Sequence, residues 1–164
     1  MEKIFVKTLL MINLFFIYSC KAQTTNDYIT FYNDVTPKLN TMVSNKTQFY
    51  GQNFSNFYNE LQSKNINVLM FDYDTKKENE KQYFIVRLYF SNTDIWSLAS
   101  LNSFRYPWIS ITFENEIPKQ IENIAKQNDM KWTPIIEQYF SNMKIEQIKF
   151  ISINGYNSSD RSVK

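Results

Sequence analysis

Asp72 and Asp74 stand two residues apart, and so do Glu114 and Glu116. On a strand, positions i and i+2 share a face, so either pair could present two carboxylates to a metal ion or to a glycosidic bond. Both pairs also fall at strand ends, where acidic side chains solvate a turn. Glu116 in addition precedes a helix start, whose dipole favours negative charge. Ser141 and Lys144 make an S-x-x-K string, the spacing that sets a serine and a lysine across one helical turn in penicillin-recognising enzymes. Here the string ends an amphipathic helix and lacks the companion motifs, so a chance match is expected. Trp96, Trp108 and Trp132 are the largest members of an aromatic set that makes up 17% of the chain. Exposed rings stack on sugars and buried rings build a core. Trp96 and Trp108 are the residues expected to bind a ligand. Trp132, just before Thr133-Pro134, reads as a hydrophobic staple at a helix start.

The composition removes several chemistries. There is no histidine, hence no His general base, His triad or His metal ligand. One cysteine, Cys20, allows no internal disulfide, Cys zinc site or CxxC pair. Gly51 and Gly155 are the two glycines, too few for a P-loop or a dinucleotide fingerprint. Lys+Arg is 18 against 16 Asp+Glu, a balance with no basic stripe for nucleic acid. No catalytic residue, cofactor or metal ligand is assigned, and the chain is expected not to be an enzyme.

The elements that must position these residues form an α+β pattern. Tyr28, Phe31, Tyr32 and Val35 mark one helical face, and Thr36-Pro37 predicts a kink or a second helix start. Phe54, Phe57, Tyr58 and Leu61 sit at i, i+3, i+4 and i+7, an amphipathic helix closing near Asn65. Residues 66–73 read as a strand, 74–81 as a charged connection with a solvated tip, and 82–90 as the strand returning in a hairpin. Residues 92–102 read as a weak helix capped at Asn92 to Asp94. Trp108 to Phe113 is a third strand. Pro118 and Pro134 each open a helix, the second marked by Ile135, Ile136, Tyr139, Phe140 and Met143. Ile145 to Ile153 is the last strand. The sum is a mostly antiparallel sheet of about four strands with helices packed on one face.

The amino end carries a separate signal. Lys3 and Lys7 precede an apolar run from Thr8 to Tyr18, followed by small residues, the order of an export signal. The run is shorter than the roughly 20 residues a spanning helix needs. A cut after Ala22, at the loosely A-x-A string Cys20-Lys21-Ala22, and an uncleaved anchor are the alternatives. The string Ile17-Tyr18-Ser19-Cys20 resembles the lipobox of bacterial lipoproteins. That resemblance implies lipid attachment at Cys20, with cleavage before it and acylation, palmitate included, of the new amino group. Cys20-Lys21-Ala22-Gln23 and the Asn-, Lys- and Ile-rich, Gly-poor composition are similar to lipoproteins of the Bacteroidetes. By the same resemblance, Lys21 favours the outer membrane, and the lack of an acidic cluster after Cys20 favours the periplasmic side.

The expected organisation is a signal peptide over 1–19, a lipidated tether over 20–26, one domain over 27–156 and a polar, fraying tail over 157–164. Setting aside Glu2, Lys3 and Lys7 leaves 16 basic and 15 acidic groups. The expected function is a membrane-anchored envelope lipoprotein with a non-catalytic binding domain, tethered to the membrane by its lipid and meeting no nucleic acid. Its partner is a protein, with a toxin-neutralising module fitting the size and address. The alternatives are glycan or peptidoglycan binding through Trp96 and Trp108, and a carboxylate-based hydrolase.

Overall fold

The computed structural model describes residues 24–160 and 162–164. The expected signal segment, Cys20 and the first part of the tether lie outside the described residues.

The first helix, α1 (Thr25–Val43), is closed at its start by a capping box. The Thr24 hydroxyl accepts from the Asp27 amide at 3.3 Å, and the Asp27 carboxylate accepts from the Thr24 amide at 2.6 Å. Helix α1 is continuous across Pro37, so no second helix begins there. Pro37 lies on the solvent side. Its missing amide leaves the Asn33 carbonyl to water, which lowers the cost of an interior proline. One residue earlier, the buried Thr36 hydroxyl donates to the Tyr32 carbonyl at 2.7 Å.

A short 3-10 turn at Lys46–Phe49 leads to Gly51, where φ is +74° and the amide donates to the Ile145 carbonyl at 2.7 Å. A side chain is strained in that left-handed conformation, so glycine is the residue that fits. Helix α2 (Phe54–Ser63) follows, with Phe54, Phe57, Tyr58 and Leu61 buried as their spacing requires.

Strands β1 (Met70–Glu78) and β2 (Lys81–Tyr89) form the hairpin. Its charged stretch is strand and not loop. Pairing continues to Glu78 opposite Lys81, and the turn is only Asn79-Glu80, with φ of +48° and +67°. Two positive φ values make the tight turn whose twist matches the flanking strands. Residues 66–69, expected to start the strand, precede it. Helix α3 (Thr93–Leu101) is capped by the Asn92 side chain, which accepts from the Ile95 amide at 3.2 Å. Strand β3 (Trp108–Phe113), helices α4 (Gln120–Gln127) and α5 (Pro134–Phe140), and strand β4 (Ile145–Ile151) complete the order. Pro134 sits in the first turn of α5, whereas Pro118 lies before α4.

The four strands lie in sequence order, every neighbour antiparallel. The strand period of two divides their side chains between faces. Phe71, Val86, Leu88, Ile109, Ile111, Phe113, Ile148 and Phe150 face the helices and are buried. They meet Leu39 and Met42 of α1, Phe54, Phe57 and Leu61 of α2, Ile121 of α4, and Ile136 and Phe140 of α5. At the centre, Phe113 stacks on Phe140 at 5.6 Å and Phe140 on Trp132 at 6.1 Å, with planes 12° and 7° apart. Trp132 is therefore a core ring and not a staple, and its indole N–H donates to the Tyr58 hydroxyl at 3.0 Å. A second cluster of Tyr28, Tyr32, Ile95, Ala99 and Tyr106 joins α1 to α3 at one end of the sheet.

Both sheet edges are partly covered. On β4, the Ile145 amide donates to the Gln52 carbonyl and the Ile148 amide to the Tyr50 hydroxyl. Farther along, Phe150 exchanges both backbone hydrogen bonds with Lys164. The polar tail thus returns to the sheet at its last residue. On β1, the Phe71 amide donates to the Met130 carbonyl and the Leu69 carbonyl accepts from the Trp132 amide.

Two stability changes follow. Phe140→Ala should cost about 3–5 kcal/mol, because it empties the middle of the aromatic stack. Glu80→Gly should gain roughly 0.5–1 kcal/mol by relieving left-handed strain, less the added chain entropy. Urea unfolding midpoints check both. A Phe140→Ala loss under about 1 kcal/mol would contradict this core.

Candidate functional site

The second face of the sheet carries the residues that strand alternation points away from α2, α4 and α5, and at one end of it Tyr89 and Trp108 pack against the α1–α3 cluster. Cross-strand register arranges them in rows. Met70, Tyr89, Trp108 and Ile151 make one row, and Asp72, Arg87, Ser110 and Lys149 the next. Asp74, Ile85, Thr112 and Gln147 make a third.

The expected carboxylate pair Asp72/Asp74 does converge, and it converges on a guanidinium. Arg87 Nη1 donates to both Asp72 oxygens at 2.9 and 3.1 Å, and Arg87 Nη2 donates to Asp74 Oδ2 at 2.9 Å. The Tyr89 hydroxyl adds a bond to Asp72 Oδ2 at 3.2 Å. Burial works against the charge of Arg87, and the Asp74 and Asp72 hydrogen bonds outweigh it, holding its pKa above the ordinary arginine value. Arg87 also lies 6.0 Å from the Trp108 ring centre, within cation-π range. The pair is thus engaged in an ion-paired cluster on β1 and β2. Glu114 and Glu116 are exposed beyond the end of β3. Among the described residues no group of three or more His, Cys, Asp or Glu side chains could hold a metal ion.

Ser141 and Lys144 lie past the end of α5 and do not share a helical turn. The Ser141 hydroxyl donates to the Gln138 carbonyl at 2.7 Å, which is ordinary helix-end chemistry.

Trp96 and Trp108 are both brought near Tyr89, Trp96 by a shared cavity and Trp108 by its ring. Trp108 is half-buried, its ring 6.2 Å from that of Tyr89. Trp96, on α3, is 53% exposed, and such an exposed indole does nothing for the core. It lines an apolar cavity of about 270 Å3 together with Met70, Tyr89, Ser91, Asn92, Thr93 and Tyr106. Several polar groups there are already matched. Ser91 Oγ and the Tyr106 hydroxyl bond at 2.7 Å, the Ser91 amide donates to the same hydroxyl, and Asn92 caps α3.

A groove lies at the other end of the same face. It encloses about 470 Å3 and has Tyr83, Ile85, Ser110, Thr112 and Gln147 along its length. The β1–β2 hairpin runs past the end of β3, since β2 pairs with β3 only from Phe84 onward. Lys81 on that projecting end reaches over to Glu146 on β4 and closes the groove. Lys76 and Glu78 pair at 2.8 Å on the rim. Of the groove residues, the sequence marks only Lys76, Glu78 and Lys81, as parts of a charged hairpin tip, and not those along the floor. The signal was the alternation Lys81-Tyr83-Ile85-Arg87-Tyr89, readable as a second face only once the hairpin register is known.

The tyrosines in and near this face set a pH dependence. Burial, then the charge of Asp72, pushes the Tyr89 hydroxyl up to about 12. Burial likewise raises Tyr106. A tyrosine in the unfolded chain loses its proton near pH 10. The folded state keeps that proton longer, so the stabilisation is complete below pH 10 and is lost as pH rises toward 12. Tyrosinate absorbance of the folded protein should show late ionisation toward pH 12 that loses one tyrosine's amplitude in Tyr89→Phe. A step for Tyr89 near pH 10 would contradict its burial beside Asp72.

Comparisons of the chain with protein-family models, curated proteins and solved structures return no match.

Proposed function

We propose that this chain is a lipid-anchored protein of a bacterial envelope, held at the outer membrane facing the periplasm, whose folded domain binds a protein partner without catalysis. The anchor rests on the lipobox-like string ending at Cys20. Each buried methylene contributes about 0.8 kcal/mol, so two or more acyl chains hold a protein at a bilayer.

The binding reading is carried by one observation: the sheet face that the helices leave open has an apolar socket at its Trp96 end, next to an ion-paired centre at Arg87. Protein interfaces have that anatomy, an apolar anchor point within a polar surround, with Trp and Arg enriched among the residues that matter most. With the Ser91, Tyr106 and Tyr89 hydroxyls matched, Thr93 alone offers a free hydroxyl among the described lining residues, which favours an apolar side chain of a partner over a sugar there. A sugar needs hydrogen-bonding groups that are still free. A secreted toxin is the partner class that size and address suit.

Cys20→Ser tests the anchor. The variant should take up no lipid label and migrate as the larger, uncut chain, and unchanged detergent partitioning together with unaltered gel migration would overturn the anchor. A photo-crosslinking residue placed at position 96 in producing cells tests the socket, with position 135 as the control. Ile135 is 60% exposed on α5, away from the socket. One discrete protein adduct at 96 and none at 135 is expected. No adduct at 96, or equal adducts at both, would overturn the protein-partner reading. Trp96→Ala should shift stability by no more than about 0.5 kcal/mol, as expected for a surface position.

A further inference from the structure

The groove at the hairpin end is chemically unlike the socket at Trp96. Three lysines, Lys76, Lys81 and Lys149, face two glutamates, Glu78 and Glu146, so the groove carries one positive charge in excess. Lys76 is paired with Glu78, and Lys81 with Glu146. Lys149 has no carboxylate within ion-pair distance among the described residues, and it stands directly across from Ser110 on β3. Glu78 feels the charge of Lys149 only as a minor influence, after its own partner Lys76.

The side chains of Ser110, Thr112 and Gln147 make no hydrogen bond to other described residues, yet they share the groove with Lys149. Thr112 is nearly buried at 6% exposure, so its hydroxyl belongs to the floor. Tyr83 supplies an aromatic face, with the Lys81 ammonium 5.0 Å from its ring centre. The backbone offers a ligand little here. Strand β3 is paired on both sides, and the outer edge of β4 is taken by Gln52, Tyr50 and Lys164. Recognition must therefore run through hydroxyls, an amide, one free ammonium and a ring. A volume of about 470 Å3 falls within the range of small-molecule sites.

We infer that this groove is a second binding site, separate from the Trp96 socket, for an acidic saccharide. A sugar carboxylate sits on Lys149, its hydroxyls meet Ser110, Thr112 and Gln147, and a ring face lies against Tyr83. An acidic peptide satisfies the ammonium but leaves the row of hydroxyls unmatched, and the β4 edge beside Lys149 is already engaged by Gln52, Tyr50 and Lys164.

The test is an NMR titration of the full chain in detergent micelles with digalacturonate, alongside neutral galactobiose and a Glu-Glu dipeptide blocked at both ends. Digalacturonate should bind with amide shifts centred on residues 110, 112, 147 and 149. The neutral disaccharide should bind at least tenfold more weakly. Lys149→Gln should weaken digalacturonate at least tenfold, Lys149→Arg should keep most of the binding, and Trp96→Ala should leave it unchanged. Thermal melts confirm that each variant is folded. No binding of digalacturonate, binding insensitive to Lys149→Gln, or equal binding of the neutral sugar would overturn the site. Equal binding of the dipeptide would overturn the saccharide class. A null result at position 96 in cells has no bearing on these outcomes, so the two readings fail separately.

Discussion

Everything in this fold depends on the period of two along four antiparallel strands of which one face is covered. Alternate residues go either into the helices or into the open. Phe71, Val86, Leu88, Ile109, Ile111, Phe113, Ile148 and Phe150 are the covered set, and together they bury the sheet against α1, α2, α4 and α5. A slip of one residue in any strand would exchange its two faces, sending Arg87 into the core and Leu88 into water. The core is thus what holds the open face in register. The rows Asp72–Arg87–Ser110–Lys149 and Met70–Tyr89–Trp108–Ile151 exist because the aromatic and aliphatic rows beneath them cannot shift.

That coupling also holds the side chains of the open face in place. Its residues stand on strands, not on loops, and β3 in its middle is paired on both sides. The ion-paired cluster at Arg87 fixes the centre. The clasp between Lys81 and Glu146 fixes the projecting hairpin. As partly exposed pairs these contribute little to stability. Their effect is to orient side chains.

Much of the scaffold was legible in the sequence. The α2 stripe, the Asn92 cap and the extent of β3 follow from local patterns, and so does the α+β class. Other features were hidden for identifiable reasons. Residues 74–78 read as loop because Lys76, Lys77 and Glu78 are poor strand formers, and Asn79-Glu80 lacks the glycine that usually flags so tight a turn. Pro37 read as a boundary, yet on the solvent side of α1 it displaces one carbonyl that water can satisfy. Trp132 read as a staple because its spacing from Pro134 is local, whereas its partners Phe54, Tyr58 and Phe71 are distant in sequence. Asp72 and Asp74 were visible as a pair, but their partner Arg87 depends on hairpin register. The groove depends on the same register, and on the unequal lengths of β1–β2 and β3.

The central claim is that the sheet face opposite the helices is a recognition surface, free in the isolated protein and occupied where the protein works. Hydroxyl-radical footprinting, performed on the purified chain and again on the chain in its own envelope, tests this directly. Trp96, on α3 at the rim of the open face, should oxidise readily in the purified protein and be strongly protected in the envelope, with Ile135 on α5 equally reactive in both. Equal oxidation of Trp96 in the two settings, with Ile135 protected instead, would place the working surface on the other side of the molecule.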